Sequence, residues 1–237
     1  MVALASLLAS AGANAQITVG TPGGAGCFPF TCVDDGFEYQ QVYSANAFST
    51  SVRINSLTFY LYVANPGTFA NQTFTLHLST TTKSVDGLSS SLASNVGLDN
   101  QLFSSVFEGG AIPASFTIPG IPFFYNPLMG NLLVDILVLG TNSHPNCGTS
   151  PTTSTCGYLQ TANPAFGQLI LMSRAFDGNY VQNSSTFVNS TDNVGLITTF
   201  GVAESTVPEP STLALLSTGL FGVAVAYGLK RRRSSSL

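Results

Sequence analysis

Residues 52–63 read VRINSLTFYLYV, the longest apolar run in the body of the chain, and their period decides the fold. Leu57, Phe59, Leu61 and Val63 recur at every second position, with Tyr60 and Tyr62 between them, so the run is an extended strand with two distinct faces. Residues 73–79 (TFTLHLS) alternate in the same way: Phe74, Leu76 and Leu78 point inward, and Thr75, His77 and Ser79 point outward. Residues 131–139 (NLLVDILVL) are almost continuously apolar, as expected of a central strand covered on both sides.

Working outward, further short runs bounded by Gly, Pro, Asn and Asp fall at 37–48, 101–107, 114–118, 123–125, 158–160, 168–173 and 196–202. Helical periodicity is nearly absent between Gln16 and Ala203, and no internal repeat stands out. Residues 80–95 (TTTKSVDGLSSSLASN) are small and polar, a long connection with room for one helical turn. About nine to eleven short strands predict an all-β fold. The expected form is an antiparallel two-sheet sandwich of jelly-roll or Greek-key type, with a closed barrel as the alternative.

Composition narrows the function. The chain has 237 residues, enough for one domain of about 190 residues between its ends. Only 8% of the residues are charged, against about 25% in an average protein. The body carries Arg53, Lys83 and Arg174 against nine acidic side chains, a net charge of −6, which repels phosphate backbones and excludes nucleic acid as a partner. Abundant Ser, Thr, Asn and Gly beside plentiful aromatic residues describe an extracytoplasmic β-protein whose solvent faces carry hydroxyls. Four cysteines suit an oxidising compartment. The expected disulfides are Cys27–Cys32 and Cys147–Cys156, each closing a local loop, with a crossed arrangement as the alternative.

Both ends bear targeting features. Val2 to Ala11 form a short apolar segment, and Ala13-Asn14-Ala15 is an A-x-A site with cleavage expected before Gln16, so residues 1–15 read as a signal peptide. No basic residue precedes Val2, so a Lys- or Arg-bearing beginning is expected upstream of Met1. The extracytoplasmic body then covers residues 16–203. Residues 204–237 hold Val207-Pro208-Glu209-Pro210, an uncharged stretch from Leu213 to Leu229, and the basic cluster Lys230, Arg231, Arg232 and Arg233. The two prolines fix φ and remove donors, which keeps the motif extended. Seventeen residues at about 1.5 Å each span roughly 25 Å, enough for a helix across a thin bilayer. The basic cluster stops transfer and stays cytoplasmic.

This order of motif, apolar span and basic tail resembles the PEP-CTERM sorting signal of exported bacterial proteins. The resemblance implies recognition of the Pro-Glu-Pro segment by an exosortase after export by the Sec machinery. It also implies a transient single-pass intermediate at the inner membrane, then a cell-surface or matrix location linked to extracellular polysaccharide. Residues 78–100 and 122–138 are similar to the β-sandwich ectodomains found among such proteins, most of them without known function.

No nucleophile motif accompanies His77 or His144, so both read as surface residues and the protein as a non-enzyme without cofactors. The cysteines lack zinc spacing, and no metal site is expected, although Asp34, Asp35 and Asp177-Gly178-Asn179 supply oxygens of the type calcium takes. Asp135 interrupts an apolar strand and must be paired, hydrogen-bonded, metal-bound or on an exposed face. Hydrolase chemistry would need His77 or His144 to meet two acids. The alternative to a purely sorted protein is a carbohydrate-binding module using Tyr60 and Tyr62 as a platform, although core packing is favoured for both tyrosines. The three N-glycosylation sequons, at Asn71, Asn183 and Asn189, match by chance in so Asn-rich a chain.

Overall fold

A computed structural model of the chain describes residues 14–62, 67–69, 71–140, 156–162, 171–180 and 185–204. Thirteen strands run through the described residues: β1 (Asn14–Val19), β2 (Pro22–Gly26), β3 (Glu38–Tyr43), β4 (Val52–Tyr60), β5 (Gln72–Thr81), β6 (Gln101–Glu108) and β7 (Ser115–Tyr125), then β8 (Asn131–Leu139), β9 (Leu159–Ala162), β10 (Met172–Tyr180), β11 (Ser185–Asp192), β12 (Gly195–Leu196) and β13 (Thr198–Glu204). They form a four-stranded sheet in the order β1-β13-β4-β7, a six-stranded sheet in the order β11-β10-β3-β8-β5-β6, and a small sheet β12-β9-β2. Every pairing between these strands is antiparallel. By contacts the chain divides after Glu204, leaving residues 205–237 as a separate unit.

The two larger sheets face one another across a shared apolar core. From the first come Ile54, Leu57, Phe59 and Phe200; from the second come Phe74, Leu76, Leu78, Val134, Ile136 and Val138. The sheets keep separate edges (β1 and β7, β11 and β6), which excludes the closed barrel. Successive strands cross between sheets: β3 lies in the six-stranded sheet, β4 in the other, β5 and β6 in the first again, and β7 back opposite.

Strand β4 carries the alternation read from its sequence, with one refinement. Val52 and Ile54 are buried at even positions, while Leu57 and Phe59 are buried at odd ones. The phase changes at Asn55-Ser56, where the register with both neighbours shifts. A bulge of this kind absorbs one residue and restores the inward face. Opposite it, Ile54 pairs with Phe123 and Ser56 with Pro119, so Gly120-Ile121-Pro122 bow outward. The runs at 114–118 and 123–125, expected as separate strands, are therefore one strand, β7. Its prolines are tolerated because β7 lies at the sheet edge, where fewer N–H groups are needed. Gly120 is required by close approach: a Cβ there would overlap the Phe103 ring.

Other differences have equally local causes. Strands β2 (PGGAG) and β11 (STFVNSTD) escape a pattern reading because they are rich in Gly or in Ser, Thr and Asn, and β1 because its first residues fall in the stretch read as a signal peptide. The run at 196–202 divides at Ile197 into β12 and β13, and β10 continues through Tyr180, well past Ser173. Strand β8 is covered on both faces only over Leu132–Val134; Leu137 is half-buried and Leu139 exposed. The cover comes from the 82–97 connection, whose Leu88 and Leu92 pack on Val42, Leu133 and Ala175 outside the six-stranded sheet. Its helical turn is a short 3-10 segment, Leu92–Asn95.

A loop from Cys27 to Val33 is inserted between the sheets. The Cys27–Cys32 disulfide closes it, with Cα atoms 5.6 Å apart, and this pairing excludes the crossed arrangement. Phe30 at its tip is fully buried, with ring centroids 4.9 Å from Phe59, 5.0 Å from Phe74 and 5.1 Å from Phe116. Replacing so enclosed a ring leaves a cavity that neighbouring strands cannot fill. Phe30→Ala is expected to lower the unfolding free energy by about 3–5 kcal/mol, measured by urea titration with tyrosine fluorescence. A loss under about 1 kcal/mol would show that the ring is not a keystone of the core.

Candidate functional site

Alternation along β3, β8 and β5 sends every second side chain to the outer face of the six-stranded sheet, and there it assembles a polar row. Gln40 pairs with Asp135, and Asp135 with His77, in register. Glu38 lies two positions from Gln40, whose amide donates to its carboxylate at 3.3 Å and to the Leu92 carbonyl at 3.2 Å. Asn95, a buried residue of the 82–97 connection, donates to the Gln40 side-chain oxygen at 2.9 Å. Asp135 is thus on the outer face, half-buried, and its Oδ1 has no hydrogen-bond partner among the described residues.

Burial raises the Asp135 carboxyl from 3.8 to about 6, a rise that Gln40 opposes. Glu38 is raised from 4.5 to about 7, first by burial and then by the charges of Asp135 and Asp177. The row therefore places a histidine and two acids on one face, as hydrolase chemistry would require, but on the outside of a sheet. Asp34 and Asp35 serve the turn before β3, where Asp35 accepts the Gly140 N–H at 2.9 Å. Among the described residues, no group of three or more His, Cys, Asp or Glu side chains could hold a metal ion.

Cavities lined by described residues include the following. One of 440 Å³ opens between the end of β5, the 94–99 loop, the end of β7 and the turn after it. Its walls hold three exposed apolar side chains: Leu98, fully exposed, Met129 at 71% and Phe124 at 54%. Asp99 and Asn126 stand beside them, each with one side-chain oxygen committed to a backbone N–H, of Thr80 at 2.7 Å and of Leu128 at 3.0 Å. A 350 Å³ cavity on the far side of Asn126 is lined by Phe48 and Leu128. A third, 340 Å³, lies at the Arg174–Asp192 ion pair, whose atoms are 2.8 Å apart. Arg174 also lies over the Phe28 and Phe176 rings.

The residues expected to act from sequence are placed unevenly. Tyr60 is half-buried against the core, with its hydroxyl 2.6 Å from that of Thr199. Tyr62 follows the strand end in a bend, 45% exposed. The two rings therefore differ in setting, and the continuous strand that would align them stops at Tyr60. Ala15 and Gln16 lie within β1, opposite Val202 and Gly201. Cys156 is disulfide-bonded, while Cys147, His144 and Ala13 lie outside the described residues. Pattern reading missed the 440 Å³ cavity. Its signal was the isolated large apolar residues set in turns, Gly97-Leu98-Asp99 and Leu128-Met129-Gly130.

A family model described as the PEP-CTERM protein-sorting motif matches residues 206–233. The chain carries a PEP-CTERM sorting signal. No curated protein and no solved structure matches the chain. The PEP-CTERM signal implies an exosortase as processing partner, with export and sorting to the cell surface. Val207 to Pro210, the apolar stretch 213–229 and the basic cluster 230–233 lie outside the described residues. Among the described residues, no helix is long and apolar enough to cross a membrane.

Within the body, the titration of Glu38 and Asp135 is measurable. Both carboxyls bind protons more tightly folded than unfolded, so their contribution to stability is complete below about pH 4 and declines as pH rises through about 6 to 7. The expected result is a urea midpoint that falls between pH 4 and pH 7, and a smaller fall in the variant combining Glu38→Gln and Asp135→Asn. Identical pH profiles for the two proteins would remove these carboxyls as the cause.

Proposed function

We propose that the chain is a non-enzymatic exported protein whose tail is its processed site and whose sandwich is the delivered cargo, held in an extracellular polysaccharide or biofilm matrix. The observation that carries this reading is the PEP-CTERM match over residues 206–233, directly after β13. In this reading residues 1–15 direct Sec export and are removed before Gln16. The 213–229 segment then forms a transmembrane helix that holds the precursor at the inner membrane. Lys230 to Arg233 stay cytoplasmic and fix the orientation, because translocating four cations is costly.

Pro208 and Pro210 prepare the substrate strand. Each fixes φ near −65°, and the residue before each is pushed away from the helical region. The segment therefore meets an exosortase already extended, which lowers the entropy lost on binding. Glu209 between them presents the only charge of the motif.

Two features support a non-enzymatic body. None of the three cavities is lined by His77, Glu38 or Asp135. The Gln40 amide is shared between Glu38 and the Leu92 carbonyl, a structural use that ties the 82–97 connection to the sheet.

Intact-mass analysis of the protein from its native host tests the proposal. The expected mature form begins near Gln16 and ends near Pro210. Pro208→Ala together with Pro210→Ala is expected to accumulate a membrane-bound precursor. Retention of residues 213–229 in every wild-type species would leave an ordinary single-pass anchor and sink the processing step.

A further inference from the structure

We infer that the 440 Å³ cavity at the end of β5 and β7 is a binding cleft for a neutral saccharide, with Phe124 as its stacking face. The inference deepens the matrix reading and rests on it only for the source of the glycan; the chemistry comes from the lining. The volume falls within the roughly 300–1,000 Å³ typical of ligand clefts. Leu98, Phe124 and Met129 would each be costly to leave in water without a partner, and they are gathered in one place.

The polar groups narrow the class. Asp99 uses Oδ1 for the Thr80 N–H, and a carboxylate keeps further acceptor positions on its other oxygen. Asn126 uses Oδ1 for the Leu128 N–H, which leaves its amide as a donor. Thr82 adds a hydroxyl that both donates and accepts. Acceptor, donor and hydroxyl beside an apolar floor complement a sugar ring: its hydroxyls both donate and accept, and its C–H face is weakly positive against an aromatic face. An anionic ligand would meet one carboxylate and no lining cation. A purely apolar ligand would leave these polar groups dry and unpaired, at a cost in affinity. The sequence offers no tryptophan for stacking, and of the exposed rings Tyr62, Phe107 and Phe124 it is Phe124 that lines this cleft, so its face is the aromatic surface that serves.

The test uses the full chain purified in detergent micelles and run through native gels containing hydroxyethylcellulose, galactomannan or dextran, with alginate as the polyanion. Retardation is expected in at least one neutral gel and not in alginate. Leu98→Asp combined with Phe124→Ser is expected to weaken that retardation about tenfold. Circular dichroism should be unchanged, because both side chains are exposed. If the pair fails to fold, Leu98→Asp alone carries the test, since Leu98 is fully exposed. Migration unchanged in every neutral gel, equal retardation of the variant, or stronger binding to alginate would each overturn the cleft. So would light scattering that finds a wild-type dimer dispersed by Leu98→Asp, or flotation of the wild type with phosphatidylcholine vesicles that the same change abolishes. Fractionation of the native host separates the two proposals. A protein found in the matrix but silent in all neutral gels keeps the matrix reading and loses the cleft. One that binds in gels but is absent from the matrix does the reverse.

Discussion

The sandwich depends on one insertion. Phe30 enters from a loop and fills the space where the aromatic faces of the two sheets converge, against Phe59 and Phe116 on one side and Phe74 on the other. Two restraints hold the loop in that position. The Cys27–Cys32 disulfide limits its spread, and the Thr31 hydroxyl lies 2.8 Å from the carbonyl oxygens of Cys27 and Gly157. The ring contacts are tilted or edge-on, the arrangements that aromatic quadrupoles favour. A second cluster, Tyr43, Phe48, Tyr125 and Phe200, repeats this packing elsewhere in the core. A protein with few charges thus gains cohesion from rings packed at close to 5 Å rather than from ion pairs.

The outer faces follow a complementary rule. Hydroxyl side chains bridge strands where other proteins use salt bridges: Thr18 with Thr199 at 2.6 Å and Thr58 with Thr117 at 2.8 Å. Such bonds do not weaken with salt as exposed ion pairs do, and exposed ion pairs contribute little in any case. This suits an exported domain that meets variable ionic strength. The Arg174–Asp192 pair is an exception with further support, since the guanidinium also lies over two aromatic rings.

Much of this was legible in residue order. The alternation in 52–63 and 73–79 specified Leu57, Phe59 and Leu61 of the first run and Phe74, Leu76 and Leu78 of the second as core residues, because a period of two sets one face inward. The bulge that brings Val52 and Ile54 to the same core was not legible, and Val63 lies outside the described residues. The local disulfide followed from the spacing of Cys27 and Cys32. The sorting signal was legible because proline rigidity, apolar length and terminal charge act locally. What stayed hidden depends on partners distant in sequence. No local pattern tells that Phe30 is a core residue rather than a loop residue, that Leu88 and Leu92 cover the six-stranded sheet, or that Leu98 shares a cleft with Phe124. Strand β11 (STFVNSTD) pairs with β10 despite a polar sequence, since an edge strand needs backbone partners more than apolar side chains.

Strand β13 lies between β1 and β4, with Ala203 opposite Asn14 and Arg53. The last strand of the body is thus an interior member of its sheet, and the first strand has no place to pair until the last arrives. Such a topology delays closure, because contacts far apart in sequence must form late and slowly. During synthesis and export the four-stranded sheet stays open until residue 204 has emerged, just ahead of the segment that matches the sorting signal. A chain cut short before that point would lack both the strand that completes the fold and the signal that dispatches it. Completion of the fold and display of the sorting signal therefore depend on the same final stretch of chain.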